Sequence, residues 1–392
     1  MFGFLTKTIT ISCLLFFITI LSYAQKPIMP FKVDSLFDFN KPKTLGLLPA
    51  KNKETITIFS PYGDDNKYNH GVVLFPFKGM LYAQWQSSSL DEDGPDTQVF
   101  YSRSSNGKDW GKPMVLTSKS EDGITTSGGW WSHENVLVAY VCVWPKTDKE
   151  FKEGYTEYMS SINGIDWTAA KSVKNKDGNQ VLGIIEQDIH KLPSGRILTA
   201  FHMQPGLTVT PFFTDNPLGV LGWTAGKMKN LPSKKNMSRE LEPSWFYRKK
   251  DSTVVMVFRD QQSTFKKLAS VSYDMGLTWT TPQIVDTPDS RAKQSAGNLP
   301  DGSVFMVNNP SENKKRFPLA ITLSKDGFVF DRSYLLRSGE KDDLQPMRFN
   351  GTYKRVGYSY PKSVIWNGYL YVSYATNKED VELTRIPISN LF

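Results

Sequence analysis

From Gly71 onward the chain alternates short apolar runs with small polar turns, and the same order recurs six times. Gly71–Phe77, the turn Lys78-Gly79 and Met80–Gln86 open a first unit. Trp131–Tyr140 opens a second. Ile185–Leu192, Pro193-Ser194-Gly195 and Arg196–Phe201 open a third. Ser244–Tyr247 with Thr253–Phe258, then Asn298-Leu299 with Ser303–Asn308, then Lys362–Trp366 with Tyr369–Ala375 open the fourth, fifth and sixth. Runs of this length, rich in β-branched and aromatic residues and bounded by Gly, Pro, Asn and Asp, predict strands. The last unit has three clear strands, ending with Glu382–Ile388. Thr55–Ser60 is a lone strand near the start. Pairing it into the last unit would close a ring and remove both sheet edges.

Between the third and fourth strands a polar hairpin recurs. It reads Ser104-Ser105-Asn106-Gly107-Lys108-Asp109-Trp110, Ser161-Ile162-Asn163-Gly164-Ile165-Asp166-Trp167, Ser324-Lys325-Asp326-Gly327-Phe328-Val329-Phe330 and, one residue longer, Ser272–Trp279. Asn or Asp bonds the backbone two residues on, Gly accepts positive φ, and the aromatic anchors the next strand. A degenerate copy is expected around Thr214-Asp215-Asn216-Pro217 and Gly222-Trp223. A repeat of roughly 50 residues built of hairpins is the mark of a propeller or solenoid. The expected fold is therefore all-β, one β-propeller of four-stranded blades spanning 25–392. Six blades are counted, and a seventh would need extra strands in 26–60 or 201–232.

Composition narrows the setting. Lys7, the apolar run Ile9–Ile20 and Ser22-Tyr23-Ala24 before Gln25 read as a cleavable signal over residues 1–24, which implies a secreted or periplasmic protein. The run is too short and too interrupted by Thr and Ser for a membrane anchor. Only Cys142 remains after cleavage, so no internal disulfide is available and the fold rests on its core. A net charge of +8 without a basic tail or a nucleic-acid motif points away from nucleic acid and towards an acidic saccharide. Nothing suggests more than a monomer.

In a propeller the innermost strands line the axis. The loops that enter them, and those joining second and third strands, share one funnel-like face. Loops on a rigid scaffold are where function collects. These loops carry His70, Glu186-Gln187, Glu240, Glu242, Arg291, Gln294, Tyr358 and Tyr360, with Lys362 just beyond, and Asp91-Glu92-Asp93, His202, Arg259 and Arg316 on the other set. His133 is placed with the entering loops. His133 and His190 adjoin apolar strands and read as structural. The acidic run Asp91–Asp96 lacks the spacing of a calcium loop, so structural Ca²⁺ is not favoured, and no cofactor is called for.

The repeated hairpin is an Asp-box, and the chain resembles the sialidase superfamily of β-propellers. "LEPSWF", "VFRDQ" and "KLASVSYDMGLTW" resemble the sialidase run of a Glu, an Arg-bearing strand and an Asp-box. That resemblance implies Arg259 and Arg316 as carboxylate-binding arginines, Glu242 and Tyr360 as a base–nucleophile pair, and Asp91 or Asp93 as acid. The first-blade arginine is missing from "VVLFPFKGMLYAQW". "NHGVVLFPFKGMLYAQW", "SRELEPSWF", "SRAKQSAGNLPDG", "GYSYPKS" and "NKEDVE" look like exported propeller enzymes acting on rhamnose–uronate polymers such as ulvan. This closer resemblance implies a polysaccharide lyase or a rhamnosidase-like enzyme, and the residues suit a carbon–oxygen lyase acting on a uronate-containing poly- or oligosaccharide, with sugar or water as the leaving group. Elimination needs a near-neutral base for the C5 proton, an acid at the C4 oxygen and a positive clamp on the carboxylate. His70 or His202 would be the base, and Tyr360 or Tyr358 the acid. Arg259, Arg291 and Arg316 would be the clamp, and Glu240, Glu242, Gln294, Tyr358 and Lys362 further substrate contacts. An exo-acting sialidase- or rhamnosidase-like hydrolase, and a propeller that only binds glycans, are the alternatives.

Overall fold

The computed structural model describes residues 29–148, 153–233 and 236–391, so the expected signal lies outside the described residues. Six antiparallel sheets follow one another around a ring. Blade 1 is Tyr68–Phe77, Met80–Ser88, Gln98–Ser104 and Met114–Val115; blade 2 is Gly123–His133, Val136–Pro145, Tyr155–Ser161 and Lys171–Ser172. Blade 4 runs from Glu240–Arg248 to Gln283–Pro288, and blade 5 from Ser295–Asn298 to Arg332–Arg337. Blade 6 comprises Tyr358–Trp366, Tyr369–Thr376, Asp380–Pro387 and, on its outer edge, Glu54–Phe59. Thr55 lies opposite Thr384 and Thr57 opposite Glu382. The ring is closed by the N-terminal strand, as expected, and there are six blades.

Two units differ from the expectation. Blade 2 does not begin with one strand over Trp131–Tyr140. The chain turns at Glu134-Asn135, with Glu134 at φ 50°, between two long strands. His133 therefore ends a strand on the face away from the funnel, at the same end as the Asp-boxes. In blade 3 the innermost strand is broken into Gly183–Ile185 and His190–Lys191, both paired with Ile197–Met203. Glu186 still donates its N–H to the Ala200 carbonyl at 2.8 Å, and Gln187, Asp188 and Ile189 bulge away from the paired strand.

The core lies between blades. Tyr82, Trp130 and Leu137 fill the seam of blades 1 and 2. Tyr140, Phe201 and Trp223 fill the next, then Phe213, Trp245 and Phe258, then Phe246, Val257 and Phe330, then Val307, Leu323 and Tyr374. Leu81, Trp85, Tyr371 and Leu383 complete the circle between blades 6 and 1. Each Asp-box staples such a seam. The Ser104, Ser161 and Ser324 hydroxyls accept the N–H of Gly107, Gly164 and Gly327 at 2.8–2.9 Å. A Cβ on Gly164 would lie 2.1 Å from the Tyr82 hydroxyl, and one on Gly107 2.5 Å from that of Tyr371. Glycine is required there because the turn presses onto the preceding blade. The degenerate fifth copy does the same through Gly219, whose carbonyl accepts the Tyr140 hydroxyl at 2.8 Å and the Trp223 indole at 2.7 Å.

Candidate functional site

Four innermost strands carry a β-bulge at the same height. Register shifts fall between His70 and Val73, Ser127 and Gly129, Leu241 and Ser244, and Ser359 and Lys362. A left-handed residue sits in each: Gly71, Gly129, Glu242 at φ 53° and Tyr360 at φ 57°. Bulges re-aim side chains near binding sites. A non-glycine residue held at positive φ stores strain that the surrounding structure must impose. Here the two strained residues meet.

The Tyr360 hydroxyl donates to Glu242 Oε1. Arg259 Nη1 donates to Glu242 Oε2 at 2.9 Å and to the Tyr360 oxygen at 3.1 Å, while its Nη2 is fixed by Gln261 at 2.7 Å. The Tyr360 ring packs 4.3 Å from the His70 ring. The Arg316 guanidinium lies 5.2 Å and the Lys293 ammonium 5.4 Å from the same ring. Arg316 is steadied by Ser359 at 2.8 Å. His202 Nε2 accepts the backbone N–H of Glu242 at 3.2 Å, which leaves its ring proton on Nδ1.

The charge states follow from these neighbours. Burial pushes the Glu242 carboxyl up, but Arg259, Lys293 and the Tyr360 hydroxyl outweigh it and hold it at about 2. Burial and the Glu242 charge push the Tyr360 phenol well above its ordinary range, against Arg259 and Arg316. Burial, reinforced by Lys378, Arg316 and Lys293, holds His70 well below the ordinary imidazole value, and neither ring nitrogen has a hydrogen-bond partner. Burial also lowers His202, against Glu186 and Glu242. The resting site is thus an ionised Glu, a protonated Tyr and two neutral imidazoles.

The BNR repeat-like domain family matches residues 79–372. The chain belongs to that family. No curated protein matches it. Among solved structures this BNR-repeat propeller is similar to a sialidase, at 20% identity over 91% of this chain and 35% of that one, TM-score 0.56. It therefore spans about a third of that sialidase. It is also similar to a protein of unknown function from Dyadobacter fermentans, at 14% identity over 85% of this chain and 97% of the other, TM-score 0.64. A third is an intramolecular trans-sialidase from Ruminococcus gnavus solved with oseltamivir carboxylate, at 12% identity over 86% and 98%, TM-score 0.63. These likenesses show the fold.

In this BNR-repeat propeller a cavity of about 440 Å³ opens beside the Tyr360–Glu242 pair. His70, His202, Glu92, Asp93, Glu186, Gln187 and Lys293 line its polar side, and Trp144, Ile184, Leu207, Met237 and Leu241 its apolar side. Glu92 is held by Lys378 at 2.5 Å. Asp91 is turned away from the cavity and accepts the backbone N–H groups of Thr352 and Tyr353. Among the described residues no group of three or more His, Cys, Asp or Glu is arranged to hold a metal ion.

Other expected contacts sit elsewhere. Tyr358 is a correction: it is fully buried between blades 5 and 6, with its hydroxyl on the Ser338 carbonyl at 2.8 Å and Arg337 over its ring. Glu240 is a second correction. It is fully buried and accepts from Asn230 at 2.6 Å and the Leu231 N–H at 3.2 Å, behind the site. Lys362 is a third. It points into the propeller axis, 3.4 Å from Glu186 and 3.6 Å from Asp188. Gln294 is buried beneath the site, donating to the carbonyls of Glu242 and Val257. Arg291 lies close enough to Arg259 for repulsion to reinforce burial in lowering its pKa, and its Nε has no partner. Lys293 stands in the entering loop Arg291-Ala292-Lys293-Gln294, but the sequence assigns it no role. Its place in "SRAKQS", two residues after Arg291, was the only signal.

Proposed function

We propose that the chain is a glycan-active enzyme that hydrolyses the glycosidic bond of an acidic sugar, with Tyr360 as nucleophile and Glu242 as its base. The observation that carries this reading is the hydrogen-bonded set Arg259–Glu242–Tyr360 on two facing bulges. A phenol is a weak nucleophile unless a base takes its proton during attack. Glu242 is ionised and touches that proton. Transfer at rest is uphill, so proton loss to Glu242 accompanies formation of the bond between the Tyr360 oxygen and the anomeric carbon. Asp93, on the cavity wall, protonates the departing oxygen. A water then displaces the tyrosyl oxygen, giving its proton to Asp93, and Glu242 returns the proton to Tyr360. Arg316 and Arg291 join Arg259 as the cationic side that suits an acidic substituent. The sialidases among the structural neighbours support this reading over a bare binding module. With its signal removed, the chain would meet acidic poly- or oligosaccharide outside the cytoplasm.

Elimination from a uronate remains the second reading. The neutral, unpaired His70 beside Tyr360 favours it, because such an imidazole can take a C5 proton. One experiment separates the two. Acidic aryl glycosides and uronate oligosaccharides are incubated with the protein while released aglycone, reducing ends and ultraviolet absorbance are followed. Hydrolysis gives reducing ends without a conjugated double bond, and Tyr360→Phe abolishes it. Absorbance rising in step with cleavage would overturn the hydrolytic reading.

A further inference from the structure

Where blade 3 breaks its innermost strand, Glu186 and Gln187 turn across the propeller axis and take hold of a lysine from the loop entering blade 5. Lys293 Nζ lies 2.5 Å from Glu186 Oε1 and 2.9 Å from Gln187 Oε1. Gln187 is itself anchored on the far side, donating to the carbonyls of Gly71 at 3.1 Å and Ser127 at 2.9 Å. A Cβ on Gly71 would lie 2.8 Å from the Gln187 amide, so blade 1 leaves room for this strut. Lys293 is 5% exposed. Among the described residues it is the one Lys or Arg that lines the cavity.

Taking charges out of water costs several kcal/mol each, and well-packed apolar residues would often hold such an axis as well. A buried Glu186, Asp188, Lys293 and Lys362 are therefore poor evidence of stability alone. We propose that Lys293 is a positioning residue of the candidate site: fixed by Glu186 and Gln187 on the cavity wall, its ammonium adds to the positive field that Arg259 gives the Glu242–Tyr360 pair and the flanking imidazoles. This rests on the proposed reading only in taking Glu242 as the working base.

The groups facing Lys293 come from nearly every blade. They are His70 from blade 1, Cys142 from blade 2, Glu186 and His202 from blade 3, Glu242 from blade 4, and Tyr360 and Lys362 from blade 6. Lys293 reinforces burial in lowering His70 and His202, and with Arg259 it opposes burial in lowering Glu242. Removing it shifts all three upwards. Both a carboxylate base and an imidazole base then lose their working form at a higher pH.

Lys293→Met is the test, with Lys293→Arg as the charge-preserving control. The variant leaves Glu186 paired with Lys362, so no carboxylate is stranded. If it fails to fold, Lys293→Gln carries the same measurements. The four histidines give a readout that needs no substrate. Imidazole proton resonances are followed against pH, assigned with single His→Gln variants. In Lys293→Met the His70 and His202 titrations move up, and in Lys293→Arg they stay near wild type. The acid limb of kcat/KM moves the same way. Unmoved imidazoles, or an equal shift in Lys293→Arg, overturn the inference even if stability falls. Moved imidazoles in a protein without turnover leave it standing and remove the hydrolytic reading instead.

Discussion

Glu242→Gln offers a direct measure of how tightly the site is wired. Glutamine keeps the shape of a protonated glutamate and drops only the charge. In the folded protein Arg259 sits 2.9 Å from that carboxylate, whose side chain is 16% exposed. The carboxyl is held at about 2 against an ordinary 4.5, which corresponds to about 3 kcal/mol of folding free energy at 1.36 kcal/mol per pH unit. Because the folded value is depressed, that contribution is complete above the unfolded value near 4.5 and is lost as pH falls through about 2. Glu242→Gln should therefore lower stability by about 3 kcal/mol at pH 7, and the gap should narrow steadily as pH falls from about 4.5 towards 2. Urea unfolding followed by tryptophan fluorescence at pH 7, 4.5 and 3 measures it, with the midpoint shift converted through a shared slope. A difference that does not change with pH would refute the reasoning, since the lost stability would then come from packing. So would equal stability at pH 7, which would mean that Arg259 gives Glu242 no net support. The same variant should lose about 10²–10⁴-fold in turnover, the usual contribution of a positioned base.

Tyr360→Phe should keep the melting temperature within a few degrees and abolish glycoside turnover; full activity in the folded variant would remove Tyr360 from the chemistry. Asp274→Ala removes the acceptor for the Thr278 N–H at 2.8 Å and for the Ser272 hydroxyl at 2.9 Å, on the face away from the cavity. It should cost about 1–2 kcal/mol in urea unfolding with kcat/KM unchanged. A chain starting at Pro61 lacks the strand that pairs with Asp380–Pro387. It should expose a free edge and the seam around Ile58, and self-associate on size-exclusion chromatography; a stable, monomeric truncation would show that the closing strand is dispensable.

Most of the ring was legible because the repeat speaks through turns. Ser, Asn or Asp, Gly and an aromatic at fixed offsets report a hairpin that must press on its neighbour, and the lone Thr55–Ser60 strand had one place to go. The broken strand of blade 3 was not legible. Ile185–Leu192 keeps apolar residues only at Ile185, Ile189 and Leu192, and the partners that hold Glu186, Gln187 and Asp188 at the break are Lys293 and Lys362, more than a hundred residues away. Long-range charge pairing leaves no period in a sequence.

Two of the three misplaced contacts, Tyr358 and Glu240, share one cause. Strand alternation puts Tyr358 on the same face as Tyr360, and Glu240 on the same face as Glu242. The bulge begins at Tyr360 and Glu242 themselves, both at positive φ, so strand alternation ends just before each of them. Tyr358 and Glu240 go into the scaffold, while Tyr360 and Glu242 go into the funnel. Gly71, Glu242 and Tyr360 each follow directly on the last residue paired before the register shift, and Gly129 lies one residue further on, and all four adopt positive φ. In two blades the position is glycine, the residue that takes this conformation without cost. In the other two it is a glutamate and a tyrosine, each followed by proline, a setting that normally favours extended backbone. A fold that keeps glycine where only geometry matters, and accepts strain at the two places where a carboxylate meets a phenol, marks those two side chains as the reason for the strain.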